Sequence, residues 1–382
     1  MKIAHVIRAL EVGGAERVTV ELANLFASQN DAVTIFAGWP SDADSPVRSR
    51  LSPNVSLEYI QEKRRSTVAT YLAAVWWTWR HRRRLMAYDV LHCHLTYGSF
   101  IGAVLYFARR GRARPRIVET YHSVGAPMRA VTRWAHSIMA TRRDVFVLMA
   151  MDSYWSRFQA RHPTLAVRLI LNGARTPDVR GVDAATRRQY RAQLGIPEEA
   201  QFVVGSIGRL SRDRQPWAFM LVITELVREF GNDVHWVFGG DGPERDKLER
   251  LTRSAGVAGN VHFSGVLGDV RYLLSTLDLH FTITVRKVGG VAAIESALAG
   301  IPTVGLQADA DHQTTDDWIW SSVDPAPLAA TAIRLLRNPA ERKELADKQQ
   351  HYACSQHSVE RMAQLYRQVY LDPMPVLGKS GR

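Results

Sequence analysis

Cysteine is nearly missing from this chain: Cys93 and Cys354 are the only two among 382 residues. They stand far apart and in no metal-ligand spacing, which argues against a disulfide framework or a cysteine-based zinc site and fits a reducing compartment. Long apolar runs are missing too. No stretch of about 18 uninterrupted apolar residues occurs, so no segment reads as a membrane-spanning helix. The stretch Met1 to Arg8 runs directly into a strand pattern, without the apolar region behind a basic tip that marks a secretory signal. The expectation is a cytoplasmic protein. Acidic residues are in short supply, 37 Asp and Glu against 49 Lys and Arg, for a net charge of +12. Such a surface attracts polyanions, among them nucleic acid, anionic lipid headgroups and phosphorylated substrates. No zinc-finger spacing, aromatic RNP-like strand or obvious helix-turn-helix is found, which sets nucleic acid aside.

What is present points to two α/β domains. A chain of this length with 46% hydrophobic residues can fill two cores, and single cores stop growing well before 382 residues. The first half repeats a short β-branched run, a turn and a helical pattern, the mark of βαβ units on a parallel sheet. Predicted strands are Lys2 to Ile7, Ala32 to Phe36, Ser56 to Ile60, Val90 to His92, Ile117 to Thr120, Val145 to Leu148 and Arg168 to Leu171. From about Ala174 to Ala200 the periodicity fades into Pro, Gly and Arg-rich sequence, as expected of an interdomain connection. A second series follows, with strands at Phe202 to Ile207, His235 to Phe238, Val261 to Phe263, Leu279 to Thr282 and Thr303 to Gly305. After Pro325 the pattern is helical to about Tyr370, and the last dozen residues look like a frayed tail. The expected domains are 1–175, 176–356, and a C-terminal helix with its tail, 357–382, returning to the first domain.

Four segments carry chemistry. Gly13-Gly14-Ala15-Glu16-Arg17 joins the first strand to the first helix, where bare amides and the helix dipole can approach an anion or a sugar. It is not a Gly-x-Gly-x-x-Gly fingerprint, so a dinucleotide cofactor is unsupported, and a tight turn alone would also explain it. Gly208-Arg209-Leu210-Ser211-Arg212-Asp213-Arg214 follows the first strand of the second half. Guanidiniums emerge there at a strand's carboxyl end, where open parallel sheets bind ligands, and their planar forks suit a diphosphate. Gly239-Gly240-Asp241-Gly242-Pro243-Glu244 reads as a helix start with Asp241 or Gly242 near the cap. In Lys287-Val288-Gly289-Gly290 through Glu295 to Gly300-Ile301-Pro302 a glycine pair opens a short apolar helix. A carboxylate inside it is costly to bury without a partner such as ribose hydroxyls.

Taken in order and spacing, these segments resemble the retaining glycosyltransferases of family 4, which pair two facing Rossmann-like domains in the GT-B arrangement with a deep interdomain cleft. Further carriers are Asp89-Val90-Leu91-His92-Cys93-His94 and Leu171-Asn172-Gly173, and the likeness covers nearly the whole chain. The resemblance implies that Arg209 and Arg214 grip the donor diphosphate, Arg214 standing where the family usually has Lys. Glu295 would bind the ribose, Gly289 and Gly290 would give amides to phosphate or sugar, and Gly14 would approach the same donor. Asn172 joins this donor-binding set. His122 matches a histidine beside the transferred sugar, while His94 and Arg17 are candidates on the acceptor side. One departure stands out: the family commonly shows Glu-x7-Glu, and Lys287 occupies the earlier position, where a cation would meet an acidic sugar or a phosphate.

The implied reaction moves a hexose-type unit from a nucleotide diphosphate donor to a glycan or lipid-linked acceptor in cell-surface polysaccharide biosynthesis. No cofactor and no metal are expected, because the arginines can balance the leaving charge. The stretch Tyr71 to Met86 holds Trp76, Trp77 and Trp79 followed by Arg80-His81-Arg82-Arg83-Arg84. With Arg109, Arg110, Arg112 and Arg114 this basic cluster suggests peripheral contact with an anionic membrane. Core packing is the expectation for the tryptophans. A nucleotide-sugar epimerase of the same fold and a degenerate sugar-nucleotide binding subunit are the alternatives.

Overall fold

The computed structural model describes residues 1–41, 45–64, 66–109, 114–122, 142–149, 159–160, 162–163, 165–284, 290–307 and 318–372. The chain forms two compact units, Met1–Asn172 together with Val359–Arg382, and Gly173–Ser358. In the first unit the strands are β1 (Lys2–Ile7), β2 (Ala32–Ala37), β3 (Ser56–Tyr59), β4 (Val90–His94), β5 (Arg116–Tyr121), β6 (Val145–Leu148) and β7 (Ala166–Leu169). They make one parallel sheet in the order β3-β2-β1-β4-β5-β6-β7. Its central strands are buried on both faces, as strands of parallel sheets covered by helices are. Helices α1 (Gly14–Ser28), α2 (Thr67–Arg80), α3 (Arg82–Leu85) and α4 (Leu95–Ala108) lie between them. Val18, Leu22 and Phe26 recur at fourth positions and bury one face of α1.

The second unit carries β8 (Phe202–Ile207), β9 (Val234–Gly239), β10 (Val261–Gly265), β11 (Leu279–Thr284), β12 (Thr303–Gln307) and β13 (Trp320–Ser322), again parallel, in the order β10-β9-β8-β11-β12-β13. Its helices are α5 (Ala184–Gln193), α6 (Met220–Phe230), α7 (Arg245–Ser254), α8 (Val270–Leu274), α9 (Val291–Leu298), α10 (Pro325–Arg337) and α11 (Pro339–Gln356). Phe219, Trp236, Phe238 and Phe281 fill the core under α6 and α10. The last helix, α12 (Val359–Leu371), belongs to the first unit, where Tyr370 meets Phe26 of α1 with ring centroids 5.4 Å apart.

In each sheet the winding reverses next to the founding strand, between β1 and β4 in one and between β8 and β11 in the other. Loops leaving adjacent strands in opposite directions open a crevice at their carboxyl ends. Three of the four segments that carry chemistry sit at these two reversal points, one following β1, one following β8 and one opening α9 after β11, together with the His92-Cys93-His94 end of β4; the fourth, Gly239 to Glu244, follows β9 next to β8.

Several sequence expectations are corrected. Strand β4 runs through His94 rather than stopping at His92, and β13 was not foreseen, being only three residues long. The stretch expected as a connection contains α5, capped by Asp183, which accepts a hydrogen bond from the Thr186 amide at 2.7 Å. The helix buries none of its own residues, which is why no apolar rhythm marks it. Of the three tryptophans of α2 only Trp77 is in the core, edge-on to Phe36 at 5.2 Å, whereas Trp76 and Trp79 are 65% and 53% exposed.

Candidate functional site

The second unit presents an open, basic site. Strand β8 ends at Ile207, and Gly208 through Arg214 follow as a loop whose last three residues form a single 3-10 turn. The neighbouring turn, 239–242, braces this loop: the Gly208 amide donates to Gly239 O at 2.9 Å, the Leu210 amide to Asp241 O at 3.0 Å, and the Glu244 amide to Leu210 O at 2.9 Å. The approach is so close that a Cβ on Gly240, whose φ is +144°, would stand 2.1 Å from Gly208 O, and one on Gly242 would stand 2.3 Å from Leu210 O. The glycines are there to let two backbones zip together and hold the arginine loop. The expected cap at Asp241 or Gly242 is thereby corrected, since α7 starts three residues later with Glu244 at its cap. Asp241 instead accepts from the Gly242 amide at 2.7 Å and from Arg245 at 3.2 Å.

On this frame Arg209 and Arg214 both stand free in solvent, 63% and 57% exposed, with one carboxylate between them. Arg209 comes within 4.0 Å of one Asp213 oxygen and Arg214 within 3.9 Å of the other. Partial burial pushes the Asp213 carboxyl up, and the nearby Ser211 hydroxyl, the backbone and the two guanidiniums more than reverse this and leave it below its ordinary value. One anionic group thus already fits between the two forks. Across the reversal point, Gly290 is the extended cap of α9, and no described atom lies within 4 Å of where its Cβ would be. Glu295, 4% exposed, is buried one helical turn further along α9. Lys287 and Gly289 lie outside the described residues.

The first unit is closed and histidine-lined. His5 lies opposite His92 in the β1–β4 register, His94 opposite Thr120 in the β4–β5 register, and His122 stands two residues on from Thr120, just past the end of β5. Opposite partners share a face and alternate residues return to it, so all five polar groups line one side of the sheet. His5 Nδ1 is 3.0 Å from His94 Nε2, and His94 Nδ1 is 2.9 Å from His122 Nε2. Beside this row, His92 Nε2 meets Thr120 Oγ1 at 2.7 Å and His92 Nδ1 meets the Tyr370 hydroxyl at 2.7 Å; the Tyr366 hydroxyl reaches Thr120 at 2.7 Å. Helix α12 therefore plugs two tyrosines into the row. Burial holds His5 and His122 down at about 3 and puts His92 and His94 well below the ordinary imidazole range, with the neighbouring rings adding to the last two. All four are neutral at pH 7.

The remaining candidates fall as follows. Gly14 is exposed at the first position of α1, and Arg17 is half-buried one turn on, its amide bonded to Gly13 O at 3.1 Å. A Cβ on Gly13 would stand 2.2 Å from a Glu16 carboxylate oxygen, so this glycine makes room for the helix's own acidic residue at its positive end. Asn172, half-buried, closes the first unit after β7. His94 is fully buried with both nitrogens bonded, so it reaches no acceptor directly. As to metal, His5, His92 and His94 bring nitrogens within 4.8 Å of one another, but an ion there would have to displace bonds those rings already make. Two Asp-x-Asp pairs, Asp42-Ala43-Asp44 and Asp309-Ala310-Asp311, exist in the chain and lie outside the described residues. His5, Thr120, Tyr366 and Tyr370 escaped the sequence reading; the signal was histidine at alternate positions of one strand facing a third in the neighbouring strand.

Comparison with known proteins gives the following. Residues 12–204 match the model of Glycosyltransferase Family 4 and residues 201–338 that of Glycosyl transferases group 1. A Streptomyces kanamyceticus 2-deoxystreptamine glucosyltransferase is 27% identical over 43% of this chain and 44% of its own length. The lipopolysaccharide core biosynthesis glycosyltransferase LpsD of Rhizobium meliloti is 32% identical over 41% and 45%. The chain thus spans about half the length of these curated relatives. A Campylobacter jejuni alpha-1,4-N-acetyl-D-galactosaminyltransferase, named for a GalNAc-containing PP-undecaprenol acceptor, is 23% identical over 81% of this chain and 76% of its own. Among solved structures, Anabaena HepE with UDP and glucose superposes with a TM-score of 0.76 at 18% identity, covering 98% of this chain and 100% of that one. WaaG, a lipopolysaccharide glycosyltransferase, gives 0.69 at 15%, covering 97% and 100%. The fold is the two-unit GT-B fold of these neighbours.

Proposed function

The chain belongs to glycosyltransferase family 4, and on that premise we propose that it transfers a sugar from a nucleotide diphosphate donor to a glycan or lipid-linked acceptor, with retention at the anomeric carbon. The observation that carries this reading is the pair Arg209 and Arg214, exposed, braced by the glycine turn and sharing one carboxylate. A diphosphate has the charge and the spread of oxygens to replace Asp213 between the two forks. In the transfer step the acceptor oxygen bonds the anomeric carbon as the bond from that carbon to the diphosphate oxygen breaks. The departing diphosphate takes the acceptor proton on the same face, and the guanidiniums balance its added charge. Gly290 supplies an amide at a helix start, Glu295 holds the ribose, and His122 stands beside the transferred sugar. The two glycosyltransferase family models favour transfer over epimerisation. Incubating the protein with radiolabelled UDP-glucose, UDP-N-acetylglucosamine, UDP-N-acetylgalactosamine and GDP-mannose plus bacterial lipid extract tests the reading. A labelled lipid or glycan product supports it, and free epimer or no consumption of any donor refutes it.

The lipid-linked acceptor, and work at the cytoplasmic face of a membrane, are supported by α2. Val68, Leu72, Val75, Trp76 and Trp79 are exposed at helical spacing, an arc of about 100°, opposite the buried Thr70, Ala74 and Trp77. Arg80 and Arg83 are exposed at its end, and Arg82 lies 4.6 Å over the Trp79 ring. Aromatic rings with arginines beside them suit an anionic headgroup layer, and no described helix is long and apolar enough to cross it. Flotation with phosphatidylglycerol vesicles should fall at least about fivefold for Trp76→Ser with Trp79→Ser; unchanged binding would remove this part of the reading.

A further inference from the structure

Three neutral rings in a row, His5, His94 and His122, carry three ring protons but make only two mutual hydrogen bonds. One proton must therefore sit at an end of the row, on His5 Nε2 or on His122 Nδ1. Both end atoms are buried, and neither has a hydrogen-bond partner among the described residues. The ends differ in setting. His5 is fully buried in β1 with Ile3 and Ile7 on the same face of the strand, whereas His122 lies just past the carboxyl end of β5, where the parallel sheet receives ligands. An N–H buried within the strand, away from the ligand end, loses its water partner and gains none. The lower-energy sense therefore runs outward: His5 Nδ1–H donates to His94 Nε2, His94 Nδ1–H donates to His122 Nε2, and His122 presents Nδ1–H at the ligand end.

We propose that His94 and His5 are positioning residues that fix the ring and tautomer of His122, making its Nδ1 a hydrogen-bond donor to an oxygen of the transferred sugar. This rests on the reading that places His122 beside that sugar. It gives a role to the His92-Cys93-His94 strand end, which a ligand cannot touch, and it explains why three imidazoles are kept neutral in one row. The second row, from Tyr370 through His92 and Thr120 to Tyr366, backs the first: His92 packs 4.0 Å from His94, centroid to centroid, and holds it from behind.

The test is long-range 1H–15N spectroscopy of the histidine rings in the intact protein, together with turnover of whichever donor in the panel is used. In the wild type His122 should be the Nδ1-protonated tautomer. His94→Phe, which keeps the bulk and removes the bridge, should give a mixture of His122 tautomers and lower kcat about tenfold while the donor KM stays within about twofold. His94→Gln, which retains one donor and one acceptor, should recover most of the lost kcat. An Nε2-protonated His122 in the wild type, or a His94→Phe variant with unchanged kcat, overturns the proposal. His122→Ala separates the layers: if it is inactive while His94→Phe equals wild type, only the positioning role fails, and if it keeps full turnover, the placement of His122 at the sugar fails as well. Should His94→Phe not fold, the wild-type spectrum alone decides.

Discussion

The two sheets are wound alike, yet their reversal points carry opposite chemistry. In the first unit the crevice face is buried and neutral, with imidazoles bonded to one another, to Thr120 and to Tyr370 of α12, and Tyr366 bonded to Thr120. In the second it is wet and cationic, with two guanidiniums standing in solvent on a loop stiffened by a neighbouring turn. The same winding can thus serve two tasks. A charged, exposed site suits an anion that arrives and leaves, because exposed arginines contribute little to folding and their removal strands nothing. A neutral, buried row suits exact orientation of one hydrogen bond, because every member is fixed by the next.

That contrast predicts which substitutions strike activity and which strike stability. The largest expected effect is on turnover: Arg209→Ala should lower kcat/KM by about 10² to 10³-fold, the loss typical of removing one preorganised charge partner. Its thermal midpoint should stay within about 2 °C of wild type, since the side chain packs on little. A large fall in the midpoint would erase the contrast.

Acid should act through the first unit. His5 and His122 bind protons near pH 6.5 when unfolded but only near 3 when folded, so between those values the unfolded chain holds more protons. Stability is then complete above about pH 6.5 and falls as pH drops, by up to about 1.4 kcal/mol per pH unit for each histidine. Urea midpoints measured from pH 7 to pH 4.5 check this; a flat profile would contradict neutral burial. Smaller again is Tyr370→Phe, which leaves His92 Nδ1 without its hydroxyl and should cost about 1–3 kcal/mol in urea unfolding with turnover reduced less than tenfold. The smallest effect belongs to Arg214→Lys, which restores the residue the family usually carries there and should change turnover less than about fivefold; a complete loss would show that a fork, and not merely a charge, is needed.

Much of the fold was legible because parallel strands announce themselves as short apolar runs: β1, β6 and β8 match their predicted ends. Elements with no apolar face were not, as α5 shows. The place of the arginine loop, at the carboxyl end of the first strand of the second unit, was legible as well, because an apolar run ends where the Gly-Arg sequence begins. The histidine row was not, because it joins residues 5, 94 and 122 through the registers of three strands, and pairing between distant strands leaves no mark at either position alone. The exposed face of α2 was misjudged for a similar reason: its two apolar faces blur into one run of tryptophans, and only the packed structure tells the buried Trp77 from its exposed neighbours.

The central claim is that the guanidiniums after β8 hold a diphosphate. Calorimetric titration of UDP and GDP into the wild type and into the Arg209→Ala, Arg214→Ala double variant tests it most directly. The account predicts that at least one nucleotide binds the wild type and that its affinity falls 30-fold or more in the double variant, roughly 2 kcal/mol or above. Equal affinity in the two proteins would contradict it.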